Sequence, residues 1–263
     1  MNPTNTHYWN EVQNTWKHTK HQKLLRSISD ILNNRLFDAW LPTETVNCLL
    51  KTDLFDESLT DGLYPLLSKH ANSVVGIDTS EAVINSAKQR HPQLDAVISD
   101  VRHLPFAAET FDVIISNSTL DHFRTSDDII VSLTELKRVL RKDGHLLITL
   151  DNYTNPTVFL RNRLPFEWLN RWGIVPYYVG ATFGARRLRQ TIETLDLTVV
   201  EVTSFWHFPR IFLVAMASIV DKYFSDVFKQ KFINSVLAFE CLSKLSTKHL
   251  TGQFVAVKAI KRF

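Results

Sequence analysis

Apolar residues recur along the first forty positions at helical spacing: Tyr8, Trp9, Val12, Trp16, Leu24, Leu25, Ile28, Ile31, Leu32, Leu36 and Phe37. That period places them on one face, so 7–40 reads as one or two amphipathic helices closed by Pro42. Beyond Pro42 the pattern changes. Short apolar runs at Val46–Lys51, Ser73–Asp78, Ala96–Asp100, Phe111–Asn117 and His145–Asp151 read as strands, separated by helical patterns at Asp61–Ala71, Ser80–Arg90 and Ser126–Arg141. Such alternation predicts a parallel sheet with helices on both faces. The β-branched run Leu197–Ser204 and the poorly alternating run Gln253–Ile260 add two more strands, the latter patterned as a strand covered on both sides.

A chain of 263 residues can bury a sizeable core, and no repeat, low-complexity tract or flexible linker divides it. The expected organisation is an N-terminal helical cap over 1–42 and an α/β domain over 43–263, with helical insertions at about 156–195 and 207–248. Lys plus Arg exceed Asp plus Glu by three, so no polyanion field arises and no nucleic-acid partner is expected. Cys48 and Cys241 lack C-x-x-C spacing, which points to a reducing, cytoplasmic compartment without a disulfide or zinc framework. The polar first twenty residues carry no signal-peptide core. The greasiest run, Ile211–Val220, is bounded by Arg210 and Asp221 and falls short of the roughly 20 residues a bilayer span requires, leaving a buried or membrane-surface helix. His18 and His21 sit one turn apart without a third ligand, so no metal is expected.

An open parallel sheet binds its ligand beyond the carboxyl ends of its strands, and several of these ends are polar. Asp78 can accept the hydroxyl hydrogens of a ribose, or else cap the helix that begins near Ser80. Asp100 ends the third strand and suits an exocyclic amine; Asn117 ends the fourth. The stretch Ser116–Phe123 then brings Asp121 and His122, readable as a general base with an orienting carboxylate or as a capping Asp beside a packed His. Asp151 and Asn152, after the fifth strand, point toward the same crevice and are candidates for acceptor contact.

The ordered set Gly76-x-Asp78-x-Ser80, Asp100-x-x-x-Leu104-Pro-Phe106, Phe111-Asp112 and Arg138-Val-Leu followed by Gly144 resembles the class I S-adenosylmethionine-dependent methyltransferases over roughly residues 46 to 152. The resemblance implies a doubly wound, mostly parallel seven-stranded sheet of Rossmann-like methyltransferase fold, with S-adenosylmethionine as cofactor. It also implies that Asp78 holds the ribose, Asp100 and the Val101 amide hold the adenine, and the 116–123 loop including Asn117 holds the methionine end. One motif departs: the family's D-x-G-x-G-x-G loop is here Leu50-Lys-Thr-Asp-Leu-Phe-Asp-Glu57, with its first glycine at Gly62. Asp53, Asp56 or Glu57 can meet the cofactor's ammonium, whereas Leu54 and Phe55 can instead fill the pocket. The alternatives are a degenerate methyltransferase-like scaffold and a nicotinamide-dependent oxidoreductase, the latter lacking G-x-G-x-x-G and Tyr-x-x-x-Lys.

Between Arg161 and Arg189, six arginines face only Glu167 and are interleaved with aromatics. Arg186 and Arg187 offer forked donors, which favours a small-molecule or lipid-like acceptor with an acidic group and a hydrophobic body. The competing readings are peripheral contact with an anionic membrane, and a solvated basic face over buried aromatics.

Overall fold

The computed structural model describes residues 6–18, 23–172, 175 and 177–262. Helices α1 (Thr6–His18) and α2 (Lys23–Trp40) precede β1 (Val46–Lys51); α3 (Phe55–Leu59) and α4 (Tyr64–His70) lead into β2 (Ala71–Asp78). Next come α5 (Glu81–Arg90), β3 (Asp95–Ile98), β4 (Phe111–Asn117), a 3-10 turn at Leu120–His122, α6 (Ser126–Val139) and β5 (Leu140–Asp151). The chain continues through α7 (Pro156–Arg161), α8 (Phe166–Arg171), α9 (Ala185–Thr194), β6 (Leu197–Phe205), α10 (Arg210–Tyr223), α11 (Asp226–Ala238), α12 (Lys248–Thr251) and β7 (Phe254–Lys261).

All seven strands form one sheet in the order β3-β2-β1-β4-β5-β7-β6, parallel except where β7 runs antiparallel between β5 and β6. The order reverses between β1 and β4, and a crevice opens there beyond the carboxyl ends. Period-2 side chains split the core into two layers. Leu49, Val113, Ile115 and Leu147 face the layer with α2, α4, α5 and α10, whereas Leu50, Ile114, Leu146 and Ile148 face α6 and α9. Among the described residues no helix is long and apolar enough to cross a membrane.

Boundaries differ from the sequence reading in instructive places. The expected helix 61–71 begins only at Tyr64, with Pro65 in its first turn, and the preceding loop carries the extra helix α3. β3 stops at Ile98, because the Asp100 carboxylate accepts from both the amide and the guanidinium of Arg102 and so holds the chain in a turn. β5 starts at Leu140, which pairs with Phe111 before the ladder shifts and resumes at Val113 and His145. Helix α9 buries Leu188 and Ile192 against β6 and β7, so the last part of the expected 156–195 insertion belongs to the layered sandwich. The side chains of His18 and His21 lie outside the described residues.

Bulk in the glycine-poor loop is accommodated across the strand. Leu54 is fully buried and packs on Gly76 of β2, where an added Cβ would stand 2.5 Å from Leu54 Cδ2. Leu54 therefore fills core, not pocket. Gly76→Ala is expected to destabilise the fold by about 1–3 kcal/mol through overpacking, seen as a lower denaturant midpoint at unchanged slope. Adding Leu54→Ala to that variant should recover part of the loss.

Candidate cofactor site and acceptor cavity

β1 ends in a lysine instead of an acid. The Lys51 ammonium is buried, 2.9 Å from Glu57 Oε2 and 3.3 Å from Asp53 Oδ2, and donates to the Asp53 carbonyl at 2.7 Å. Burial works against its charge, but Asp53, Glu57 and Asp56 outweigh it and hold the ammonium above its ordinary pKa. Glu57 also accepts from the Leu63 amide at 2.9 Å and sits where a Cβ on Gly62, at φ 55°, would fall. Glu57 is thus consumed inside the loop and does not reach the crevice, which corrects its expected cofactor contact. Asp53 lines the crevice, and its Oδ2 also accepts from Thr119 Oγ1 at 3.1 Å.

One crevice, with a cavity volume of about 230 Å³, opens beyond these strand ends. Thr52, Asp53, Phe55 and Asp56 line it from the stretch after β1, Asp78 and Thr79 from the end of β2, and Ser99, Asp100, Val101 and Arg102 from the turn after β3. Asn117, Ser118, Thr119, Asp121 and His122 follow from β4 and Asp151 from β5. Helices α1 and α2 cover it with Trp9, Leu25, Arg26, Asp30 and Asn33, while Phe205, Trp206, Arg210, Phe254 and Tyr177 close the far side. Given the strand order, the β2 and β3 tips and this aromatic side flank the β1/β4 switch from opposite directions.

Asp78 Oδ1 accepts from Ser80 N at 2.8 Å and Oδ2 from Leu54 N at 3.2 Å, which fixes the carboxyl at the strand tip. The helix cap is Ser80, whose Oγ accepts from Val83 N. Burial raises the Asp78 carboxyl to about 7 against those two amides, and raises Asp56 to about 7 and Asp30 to about 6. Asp100 is gripped by the Arg102 guanidinium, which also reaches Asp128 at 2.9 Å. Burial would lift the Asp100 carboxyl, but Arg102 holds it below the ordinary carboxylate range.

At the β4 end the backbone is strained: Ser118 has φ 49° and donates to both the carbonyl and Oγ1 of Thr149. Thr149 in turn donates to Asn117 Oδ1 at 2.8 Å, so Asn117 keeps its amide nitrogen for the crevice. Asp121 and His122 do not form a dyad. Asp121 is buried, its Oδ2 accepts from Asp151 N at 2.8 Å, and its Oδ1 has no hydrogen-bond partner among the described residues. Burial, opposed by His122 and reinforced by Asp151, raises the Asp121 carboxyl to about 6. His122 Nδ1 lies 2.8 Å from the Tyr178 carbonyl and must donate to it, leaving Nε2 beside the rings of Trp9 and Tyr177.

Three expected acceptor residues lie elsewhere. Asn152 is buried and donates to the His249 and Gly252 carbonyls at 2.7 and 2.9 Å, tying the end of β5 to the start of β7. Arg186 is exposed, and Arg187 stacks over Phe183 at 4.4 Å beside a separate outer hollow. Asp151 does line the crevice, paired with Arg161 at 2.8 Å. The guanidinium that faces the crevice from the acceptor side is Arg210, bonded to Tyr177 Oη at 3.4 Å and lying near Trp206 and Phe254. Its signal was its place as the polar first residue of a greasy helix. Arg26, Asp30 and Asn33 were legible too, as a polar stripe at helical spacing within α2.

Residues 60–148 match the family described as "Methyltransferase domain". Part of the chain is 36% identical over 75 residues to tRNA (carboxymethyluridine(34)-5-O)-methyltransferase alkbh8 of Xenopus tropicalis, a match covering 28% of this chain and 12% of that protein. Another match is 38% identical over 85 residues to phthiotriol/phenolphthiotriol dimycocerosates methyltransferase 1 of Mycobacterium ulcerans, covering 30% of this chain and 29% of that protein. The fold superposes on geranyl diphosphate C-methyltransferase from Streptomyces coelicolor, solved with Mg2+, geranyl diphosphate and S-adenosyl-L-homocysteine, at TM-score 0.58 and 13% identity over 87% of this chain and 76% of that one. Strand order and superposition define the class I methyltransferase fold. Residues 60–148 thus carry a methyltransferase domain on that fold, and the cofactor of such domains is S-adenosylmethionine. The antiparallel β7 excludes the nicotinamide alternative, whose sheet runs 3-2-1-4-5-6.

The residues present fit that cofactor: carboxylates stand at the β2 and β3 tips, and seven Asp face three Arg around a ligand that carries a sulfonium and an ammonium. A raised carboxyl pKa implies a stability term present in full below the ordinary pKa of about 3.9 and lost as pH rises through the folded value. For Asp78 the window therefore runs from about 4 to 7. The stability of the ligand-free protein relative to an Asp78→Asn variant is expected to fall as pH rises from 5 to about 8, measured by denaturant melts at each pH. Taking this difference cancels the histidines His145 and His249, which burial lowers and whose slope has the opposite sign.

Proposed function

We propose that the protein transfers a methyl group from S-adenosylmethionine to a lipid-like or small-molecule acceptor. The observation that carries this reading is the convergence of Asp78, Asp100, Asn117 and Asp121, from three successive strand tips and the loop after β4, on one crevice that continues into an aromatic chamber. In it Asp78 holds the ribose hydroxyls, Asp100 and the Val101 amide receive the adenine, and Asn117 with Asp53 faces the methionine end. When bound, the cofactor would supply an electrophilic sulfonium methyl open to in-line attack by an acceptor nucleophile, with S-adenosylhomocysteine as the leaving group. The chain's own contribution is alignment, exclusion of water by α1 and α2, and a place for the acceptor's proton. Asp121 Oδ1, a carboxylate oxygen without a hydrogen-bond partner among the described residues, and His122 Nε2, the imine nitrogen left by the Nδ1 bond, are bases placed to take it.

The aromatic chamber around Trp9, Tyr177, Trp206 and Phe254 suits an apolar acceptor body, and Arg210 among them suits an acidic group on it. Tyr177 and Asp151 keep that guanidinium charged against its burial. Acceptors named for the relatives, phthiotriol and geranyl diphosphate, are in keeping with such a body. The free thiols Cys48 and Cys241 accord with a reducing cytoplasmic compartment. A second reading, a scaffold without catalysis, draws on the Lys51–Asp53–Glu57 ion cluster that stands where the family has glycines.

Titration calorimetry with S-adenosylmethionine and S-adenosylhomocysteine decides between them, and binding of both is expected. Asp78→Asn should weaken S-adenosylhomocysteine by about 1.5–3 kcal/mol, on the order of ten- to a hundredfold. A folded variant with wild-type affinity removes Asp78 from the site, and no binding by the wild-type protein establishes the scaffold. With an alkyl phosphate or fatty carboxylate as probe, Arg210→Gln is expected to weaken probe binding about tenfold at unchanged cofactor affinity, whereas Arg186→Gln with Arg187→Gln should change neither.

A further inference from the structure

A helix that is apolar all round is normally buried on every side, and α10 is not. Its Leu213, Ala217 and Val220 enter the core beside α2, while Phe212, Met216, Ile219 and Tyr223, at the same helical spacing, face outward. Phe212 is 63% and Tyr223 69% exposed, and the stripe continues into the stacked pair Phe224–Phe228 where α11 begins. A second exposed apolar set lies on α8 and just after it, where Trp168 is 67% and Trp172 78% exposed. The first set hangs from the rim of the crevice, and the second is tied to that rim through Tyr178, the neighbour of crevice-lining Tyr177. Arg210, the first residue of α10, lines it and bonds Tyr177, and Phe166 of α8 packs on Tyr178 with ring centroids 5.5 Å apart.

We infer that this rim is a docking surface for an anionic lipid bilayer, which α10 and α8 enter side-on so that the crevice opens toward the lipid. Charge selects this occupant over a second apolar protein face. The exposed positions around the two sets carry Arg163, Arg171, Lys222 and Lys231 against Glu167 and Asp226, and Asp226 is itself paired with Lys229. Apolar residues flanked by cations, with Trp at the boundary, are the composition of an interfacial surface. Neither helix spans a bilayer, so contact is peripheral. The inference rests on the lipid-like acceptor for its purpose and gives that acceptor a route, since an amphiphile leaving the bilayer at Arg210 need not cross water.

The test is co-sedimentation of the full chain with phosphatidylcholine vesicles, with and without a phosphatidylglycerol fraction, alongside sedimentation velocity without lipid. Binding is expected to the anionic vesicles, weakening as salt rises. Phe212→Asp with Ile219→Asp should lower it by at least about tenfold, with circular dichroism and S-adenosylhomocysteine affinity unchanged. Should that double variant not fold, Lys222→Glu with Lys231→Glu gives the same comparison, with loss expected for the anionic vesicles. Absence of vesicle binding, or binding that survives the substitutions, overturns the inference. A dimer that the Asp substitutions convert to monomer without vesicle binding assigns the face to self-association and overturns it equally. Vesicle binding by a chain that does not bind S-adenosylhomocysteine would leave the docking surface standing and remove the methyl-transfer reading.

Discussion

The Lys51 ammonium at the end of the central strand is shut off from solvent, and the carboxylates of the following loop, Asp53 and Glu57 in contact with it and Asp56 beyond them, compensate its charge. Breaking such a group typically costs about 3–5 kcal/mol, because it leaves a bare charge in the core. That constraint fixes the path of the chain from Lys51 to Leu63. Glu57 must turn inward to meet the ammonium, which carries the Leu63 amide with it and forces the left-handed turn at Gly62. Leu54 is driven under β2, and its amide arrives at Asp78. The family achieves close approach here with glycine; this chain achieves an ordered loop with an ion cluster, and the β2 carboxylate is oriented as a by-product.

The cover over the crevice depends on the same economy of polar partners. Helix α1 reaches the α/β unit through Gln13 to the Ala82 carbonyl and through Ser80 to Asn10, so it sits on the first turn of α5 beside Asp78. Helix α2 is fixed deeper, with Trp40 Nε1 donating to Glu201 and the Trp40 carbonyl accepting from Lys258. Polar side chains on their inner faces then meet the crevice without being stranded in the core. Water is kept from the strand tips by segments that precede the sheet in sequence.

Much of this was legible in the chain and some was not. Period-2 parity separates Leu49 from Leu50 and Val113 from Ile114, so the strands and the two core layers follow from hydrophobicity alone. Asp78, Asp100 and Asn117 were legible because a parallel sheet presents its ligand face at carboxyl ends. The choice between Asp53 and Glu57 was not, since it turns on Lys51 being buried, which no local pattern announces. Arg186 and Arg187 were misread through density of charge; the period of α9 that buries Ala185, Leu188 and Ile192 already sends 186, 187 and 189 outward. Arg210 was overlooked because a lone cation before a greasy run reads as a boundary.

Tyr178 joins two parts of the molecule through the two backbone polar groups of one residue. Its amide donates to Tyr8 Oη of α1 at 2.6 Å, and its carbonyl accepts from His122 Nδ1 at 2.8 Å. The carbonyl selects which imidazole nitrogen carries the hydrogen, and the Tyr8 hydroxyl, by accepting from the amide of the same residue, helps to position it. Seating of the first helix and tautomer of the histidine are therefore reciprocal variables: whatever favours the seated helix favours a basic Nε2 to the same degree, and conversely. A cover with this wiring does more than exclude solvent, because its seat bears on which ring nitrogen offers its lone pair to the chamber beneath it.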